Sequence, residues 1–216
     1  KDEDILTSRS LLKSGLALDR LVQNLVVDKE IDTSTILVGD RQAILIAARS
    51  SAYGNMYQTN VSCPSCTTGT KHNFNLHNTT TYSGDSHEDY QVTKNKNGCF
   101  VVKLPFTEIL IEVKLLTGKD ETRIIQNIQK NRKKELDNSI SDYMMTYVIS
   151  ANGYQDPKVI SHVVKNITAA ESRYLRNAFK AITPDIKVTN NFECPSCGFE
   201  QELEVPFGAD FFWPDR

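Results

Sequence analysis

Two matched cysteine pairs are the residues of this 216-residue chain best suited to chemistry. The first is Cys63-Pro64-Ser65-Cys66 and the second is Cys194-Pro195-Ser196-Cys197, and the 127 residues of 67–193 separate them. Each C-x-x-C turn can supply two thiolates, and four thiolates at about 2.3 Å complete the tetrahedral shell of a structural zinc ion. The sequence therefore predicts one Zn²⁺ site in a ribbon that an inserted segment splits. Its ligands are Cys63, Cys66, Cys194 and Cys197.

Two other interpretations of the cysteines stay open on sequence grounds. The thiols could be reduced and free of metal, or one pair could be the redox motif of a thiol oxidoreductase. A redox C-x-x-C normally opens a helix after a strand, whereas Gly198-Phe199-Glu200 is typical of a hairpin turn. A complete four-cysteine shell also leaves no position for a catalytic water. The pattern thus favours a structural metal.

No other group of residues in the sequence indicates catalysis. The four histidines, His72, His77, His87 and His162, lack metal-ligand spacing and are expected in loops or at the surface. Cys99 is expected to be a small core residue. The chain has neither a glycine-rich phosphate loop nor a pattern of Ser, His and Asp from which a nucleophile could be argued. We expect no enzyme activity and no small-molecule substrate.

An aromatic run closes the chain at Phe211, Phe212 and Trp213. Three large aromatic side chains in a row are not expected to stay in water. They either fold back as a plug of the core or dock on a neighbouring protein. Both alternatives stay open, and we take the three residues as candidate partner-binding residues.

Polar and β-branched runs predict a strand on either side of each cysteine pair. These strands are 56–62, 71–76, 186–193 and 201–205. Two hairpins would then carry the cysteine turns, and together they would form the split ribbon, at 53–76 and 186–206.

The segment between the hairpins is predicted to hold an inserted strand pair and a helical block, at 99–184. Residues 77–98 have almost no apolar content and are predicted to form a surface loop. Alternating patterns predict strands at 99–104 and 108–115. Capping boxes predict helices that begin at Thr117, Ser139 and Thr168. These helices would extend to about Lys134, to Asn152 and to Ile182, and Pro184 would end the last one.

Two helices are predicted in an N-terminal helical segment, 1–52. The first runs from Ser10 to Val27, and the second from Arg41 to about Ser51, with Asp40 as its cap and Ile44, Ala47 and Ala48 on one face. The last region is the aromatic tail, 207–216. The fold class predicted from these elements is α+β.

Composition narrows the class of protein. With 39% hydrophobic and 24% charged residues, the chain has the balance of a globular protein. The 25 basic and 27 acidic residues disfavour nucleic acid as the main ligand, because binding to phosphates depends on an excess of positive charge. The sequence contains no run of about 18 apolar residues, so we expect no transmembrane helix. Paired thiols that hold a metal suit the reducing cytosol in which we expect the protein to fold.

A series of short motifs occurs in order along the chain. They are Val38-Gly-Asp-Arg41, the approach from Tyr57 to Cys66, Leu115-Leu-Thr-Gly-Lys-Asp-Glu121, Asn152-Gly153, Ser172-Arg-Tyr-Leu175, Cys194-Pro-Ser-Cys-Gly198, Val205-Pro-Phe-Gly208 and Phe211-Phe-Trp-Pro214. In this order they resemble the baseplate hub and hub-assembly proteins of T4-like contractile-tailed bacteriophages. The four cysteines match the metal-binding pattern of that family. The first pair departs from it, since Thr67-Thr68-Gly69 replaces the immediate Cys-Gly turn.

The resemblance implies a non-enzymatic structural or scaffolding protein of the baseplate hub, stabilised by zinc. Its partners would be other baseplate and hub proteins. It would be assembled in the host bacterial cytoplasm and located in the virion tail baseplate. One alternative is a transient hub assembly chaperone that is not retained in the virion. Another, from a different class, is a nucleic-acid-binding zinc-ribbon module.

Overall fold

A computed structural model describes residues 17–131, 139–206 and 211–212 of the chain. These residues form a mixed α+β fold, which confirms the predicted class. The described helices are α1 (Ala17–Leu25), α2 (Val38–Tyr53), α3 (Gly118–Asn131), α4 (Ser139–Tyr147), α5 (Pro157–Asn166) and α6 (Ala169–Ile182). A short 3-10 turn at Thr33–Thr35 precedes α2.

The described strands form three small antiparallel sheets. They are β1 (Met56–Ser62), β2 (Gly69–Asn75), β3 (Thr79–Tyr82), β4 (Val92–Lys94), β5 (Phe100–Lys103), β6 (Leu110–Val113), β7 (Val148–Ala151), β8 (Asp185–Glu193) and β9 (Glu200–Glu204). The strand orders are β1-β2, β3-β8-β9 and β4-β5-β6-β7. The first two sheets contain the hairpins that carry the cysteine turns.

Both predicted cysteine hairpins are confirmed. In the first hairpin, the register runs from Met56 opposite Asn75 to Ser62 opposite Gly69. In the second, β8 and β9 pair from Thr189 opposite Glu204 to Glu193 opposite Glu200. Alternation explains the strands, since every second residue points to the buried face.

The core of the inserted block lies between the four-stranded sheet and helices α4, α5 and α6. Strands β5 and β6 contribute Val102 and Ile111, both without exposed surface, and α6 contributes Leu175. The rings of Tyr147 and Phe179 stack with their centroids 3.9 Å apart. The last helix follows the prediction, because Thr168 caps it and its main chain ends just before Pro184.

A second core joins the N-terminal helices to both cysteine hairpins. Its buried members come from α1, α2, the two hairpins and the end of the chain. They are Leu21, Ile46, Tyr57, Phe74, Leu76, Val188, Val205, Phe211 and Phe212. The two hairpins are therefore held on one apolar surface, independently of any metal.

The prediction of a surface loop at 77–98 is wrong in part, since β3 and β4 lie within it. Strand β3 is almost entirely threonine and shows no apolar alternation, so its pairing with β8 depends on a partner about a hundred residues away. The hydroxyl of Tyr82 donates to the carbonyl of Ala181, and Gln91 N donates to the Tyr174 hydroxyl at 2.7 Å. These bonds fasten the segment along α6.

The helix predicted from Ser139 to Asn152 is also corrected. It ends at Tyr147, and Val148–Ala151 pair with β6 as strand β7. The helical spacing of apolar residues continues through Val148, so the sequence pattern gives no signal that the helix ends and a strand begins there. The following helix, α5, was not predicted, although Asp156-Pro157 marks its start: Asp156 accepts a bond from Lys158 N at 2.8 Å.

Helix α2 differs from the prediction at its start and on its buried face. It begins at Val38, so that Asp40 lies in the first turn and makes no cap. Its buried residues are Arg41, Ile46 and Arg49 in place of Ile44, Ala47 and Ala48. Residues 10–16 of the predicted first helix and the predicted end near Lys134 lie outside the described residues. The division of the chain into four regions stays a prediction.

Candidate metal centre

The four paired cysteines converge on one point between the two hairpins. Their sulfur atoms all lie within 4.8 Å of one another. Across the hairpins, the Sγ atoms of Cys63 and Cys197 are 3.8 Å apart, and those of Cys66 and Cys194 are 3.6 Å apart. A tetrahedron with Zn–S distances of about 2.3 Å has edges of about 3.8 Å. Both the donor set and these separations are consistent with a split zinc site.

The same distances exclude disulfide bonds among these thiols. A disulfide requires an S–S distance of about 2.05 Å. All five cysteines of the chain are free. Cys99, the fifth, is partly buried and does not belong to the cluster.

Each cysteine turn is built by the same backbone hydrogen bonds. Cys63 N donates to Thr68 O at 3.0 Å, and Cys194 N donates to Phe199 O at 2.9 Å. Thr67 N donates to Cys63 O at 2.9 Å, and in the same way Gly198 N donates to Cys194 O at 2.9 Å. The two turns thus superpose residue for residue in their bonding pattern.

Thr67 takes the position that Gly198 occupies in the second turn. Its φ is 59°, close to the 68° of Gly198, and lies in the left-handed region that a β-branched residue rarely adopts. The Thr67 hydroxyl donates to Cys66 O at 2.7 Å. The departure of the first pair from the Cys-Gly pattern therefore leaves the turn intact at the cost of backbone strain.

The first cysteine of each pair is buried and the second is more exposed. Cys63 and Cys194 are each 1% exposed and pack with Phe192, whereas Cys197 is exposed. The hairpins supply the apolar floor of the site and leave its outer side towards solvent. Such a closed shell suits a structural ion rather than a catalytic one.

The pKa values of two of the four thiols, Cys66 and Cys197, are shifted in opposite directions. The pKa of Cys66 is lowered to about 6. The largest cause is a hydrogen bond with the side chain of Thr68, and the next largest is a hydrogen bond with the Thr68 backbone. A backbone bond with Phe199 lowers the pKa of Cys197, but desolvation and the neighbouring thiols outweigh it and raise that pKa to about 12. Four adjacent thiolates repel one another, and a divalent cation removes this penalty.

Direct contacts between the hairpins hold the two cysteine turns in register. The Oδ1 atom of Asn190 in β8 accepts bonds from Asn75 N at 3.0 Å and from Asn78 Nδ2 at 3.2 Å. The ring of His72 packs edge-on against Phe74 and Phe192, at centroid distances of 4.7 and 5.4 Å. His72 thus lies between the hairpins and not in a loop, and its burial lowers its pKa.

A buried arginine joins two of the motifs on which the family resemblance rests. Arg41 is 3% exposed, forms ion pairs with Asp19 and, at 3.6 Å, with Glu121, and donates to Thr33 O at 3.2 Å. A Cβ atom on Gly118 would lie 2.7 Å from the guanidinium carbon, so glycine leaves room for the arginine. Both motifs stand out in the sequence, but their contact is visible only in the fold.

Two residues of the aromatic run lie in the core, which favours the first of the two alternatives left open by the sequence. Phe211 and Phe212 are 1% and 6% exposed and lie in the second core. The Phe211 ring packs edge-on against Tyr57 at 5.1 Å, and buried Arg49 donates to Phe211 O at 2.6 Å. The two phenylalanines therefore plug the core and present almost no surface to a partner. Trp213 lies outside the described residues.

Comparison with known proteins identifies a family. The model of a family described as T4 bacteriophage base plate protein matches residues 8–213. Searches of curated proteins and of solved structures found no match. None of the described helices combines the length and apolar character needed to cross a bilayer. Because the match covers nearly the whole chain, this protein belongs to the T4 bacteriophage base plate protein family.

Proposed function

We propose that this chain is a structural component of the baseplate hub of a contractile-tailed phage, and that its four paired cysteines hold one structural Zn²⁺. The family match over residues 8–213 supports the baseplate role. The observation that carries the zinc assignment is the convergence of four thiols, within 4.8 Å, from pairs far apart in sequence. The position in the hub rests on the resemblance of the sequence motifs.

The ion would supply cross-linking and no reaction. Each hairpin contributes two sulfur ligands, so that binding ties β1-β2 to β8-β9. Structural zinc contributes about 10–16 kcal/mol in isolated finger peptides. The contribution here is expected to be smaller, because Asn190 and the second core already hold the hairpins together.

The protein is proposed to act through protein-protein contacts and not as an enzyme. A full shell of four cysteines leaves no open coordination position for a substrate. Its partners would be other baseplate and hub proteins, and its place would be the virion tail after assembly in the host cytoplasm. A nucleic-acid-binding role is disfavoured by the formal net charge of -2.

The test of the baseplate role is the fate of the protein during assembly. Mature phage particles and purified hub intermediates would be analysed by quantitative mass spectrometry. A structural component is expected in both, at the same ratio to the other baseplate proteins. Presence in intermediates and absence from mature particles would contradict this proposal and identify the chain as an assembly chaperone.

The test against a redox role uses the thiols themselves. With zinc bound, the paired cysteines are expected to react with a thiol reagent only after a chelator is added. Rapid reaction of one pair in the untreated protein, together with reversible disulfide formation, would favour a thiol oxidoreductase instead.

A further inference from the structure

The outer edge of β1 pairs with no other described strand. In an antiparallel ladder, alternate residues turn their backbone groups towards the partner strand and away from it. The bonds from Leu76 N to Asn55 O, at 2.8 Å, and from Cys63 N to Thr68 O, at 3.0 Å, show which set faces β2. Positions 56, 58, 60 and 62 therefore direct their N–H and C=O groups outwards.

The side chains at these four positions are exposed as well. They belong to Met56, Gln58, Asn60 and Ser62, and the whole seven-residue strand contains no charged residue and no proline. Proteins usually protect a free edge by a short strand, a charge or a proline. The outer edge of β1 has none of these protections.

The other edge strands described in the structure are protected. On β9, the outward positions carry Glu200, Glu202 and Glu204. The outer edge of β2 carries Lys71, and its Asn75 amide already donates to Asn190. Strands β3, β4 and β7 are no longer than four residues. An unprotected long edge is thus specific to β1.

The second hairpin shows what such an edge can accept. Strands β1 and β8 are equivalent, since each leads directly into a cysteine turn of the same bonding pattern. The outer edge of β8 is occupied at Asp185–Val188, where β3 pairs with it, whereas the part that corresponds to 58–62 of β1 pairs on that side with no described strand. The outer edge of β1 presents the same outward row of N–H and C=O groups and therefore has the geometry to take a further antiparallel strand.

We propose that the outer edge of β1 pairs with β1 of a second copy of this chain, in an antiparallel arrangement about a two-fold axis at Thr59. Such an axis places Gln58 of each copy opposite Asn60 of the other, where the two side-chain amides can bond. No like charges meet, since the strand is uncharged, whereas self-pairing of β9 would bring its glutamates together. The product is a four-stranded sheet shared by two copies.

The test is sedimentation equilibrium of the zinc-loaded 216-residue chain over a wide range of concentrations. A reversible monomer-dimer equilibrium is expected. The variant Gln58→Glu/Asn60→Glu puts glutamate opposite glutamate twice across the interface, places an opposite charge facing Lys71 within the hairpin, and should weaken dimerisation by about tenfold or more. The variant Gln58→Lys/Asn60→Glu puts opposite charges together and should dimerise at least as well as the unchanged protein.

A control variant, Asn97→Glu/Asn177→Glu, adds the same charge at two exposed positions away from β1 and should leave dimerisation unchanged. A chain that stays monomeric at every concentration would overturn the proposal. So would equal dimerisation of the two β1 variants, because the register about Thr59 would then be wrong.

The dimer does not depend on the proposed zinc or on the place of the chain in the hub. Loss of dimerisation in the like-charge β1 variant with full metal content would concern this surface alone. Loss of metal in a cysteine variant that still dimerises would concern the zinc site alone.

Discussion

Thr67 shows how a single residue can carry strain in a cysteine turn. It adopts a φ of 59° at the position where the second turn has Gly198. A left-handed conformation costs a residue with a Cβ atom roughly 1–2 kcal/mol, and glycine at this position would avoid that cost. Glycine would also lose the bond from the Thr67 hydroxyl to Cys66 O, which offsets part of the gain in stability. We predict that Thr67→Gly raises the free energy of unfolding by up to about 1 kcal/mol.

Urea denaturation of the zinc-loaded protein measures this change. The matched control is Gly198→Thr in the second turn, which is expected to lower stability by about 1–2 kcal/mol. A destabilising effect of Thr67→Gly would show that the threonine hydroxyl matters more than the backbone strain.

Glu171 is a buried carboxylate with a defined set of donors. It has no exposed surface and accepts bonds from Thr107 N at 2.7 Å, from the Thr107 hydroxyl at 2.8 Å and from Phe106 N at 3.2 Å. Burial alone would raise the pKa of Glu171, but the bonds from Thr107, Phe106 and Thr168 outweigh it, and the pKa is lowered. The carboxylate thus joins the start of α6 to the turn between β5 and β6.

We predict that Glu171→Gln lowers the free energy of unfolding by about 1–3 kcal/mol at neutral pH. Because the folded pKa is lowered, ionised Glu171 stabilises the fold above its ordinary pKa and loses this effect as pH falls through the folded pKa. The difference between the two proteins should therefore shrink in acid. Urea unfolding of both at several pH values tests this, and a difference independent of pH would contradict it.

Single residues were predictable from sequence where their chemistry is tied to spacing. The two C-x-x-C turns identify their own four cysteines, whereas the buried arginines do not stand out. Basic residues on a helix are normally exposed, and Arg41 and Arg49 are buried only because distant groups satisfy them. Those groups include Asp19 for Arg41 and the carbonyl of Phe211 for Arg49.

At the scale of elements, the end of the chain acts as part of the core. Replacing a buried phenylalanine by alanine removes its apolar contacts and leaves a cavity. We predict that Phe211→Ala lowers the free energy of unfolding by about 3–5 kcal/mol. The matched control is Phe106→Ala, because Phe106 is 71% exposed and its truncation should change stability by less than about 0.5 kcal/mol.

Thermal or urea unfolding of the purified variants measures both effects. Unchanged stability of Phe211→Ala, combined with failure to enter the baseplate, would favour the partner-docking alternative for the aromatic run.

Elements were predicted well where the signal is local. The cysteine hairpins and α6 have alternation or a capping box within their own sequence, as at Thr168 and Glu171. Strands β3 and β7 do not, since their pairing depends on partners far along the chain. Helix α5 has a local start signal in its cap Asp156 and in Pro157 at its first position. It was not predicted, because the preceding helix was expected to extend almost to this point.

At the scale of the whole molecule, two apolar cores stabilise different parts of the fold. One belongs to the inserted sheet and its helices, and the other joins the N-terminal helices, both cysteine hairpins and the chain end. The separation of the cysteine pairs in sequence predicted an insertion between the hairpins. The sequence did not predict the second core, because its members come from segments without a common pattern. Removal of metal is accordingly expected to loosen the cysteine turns and to leave the inserted core folded.

Both cysteine pairs are proposed to bind one ion together. The most direct measurement is the zinc content per chain, by mass spectrometry of the purified unchanged protein and of Cys63→Ser and Cys194→Ser. We predict one zinc per chain in the unchanged protein, loss of the ion in both variants, and an equal fall in their stability. A variant that keeps a full equivalent of zinc, or loss in only one of the two, would contradict a single site shared by the two hairpins.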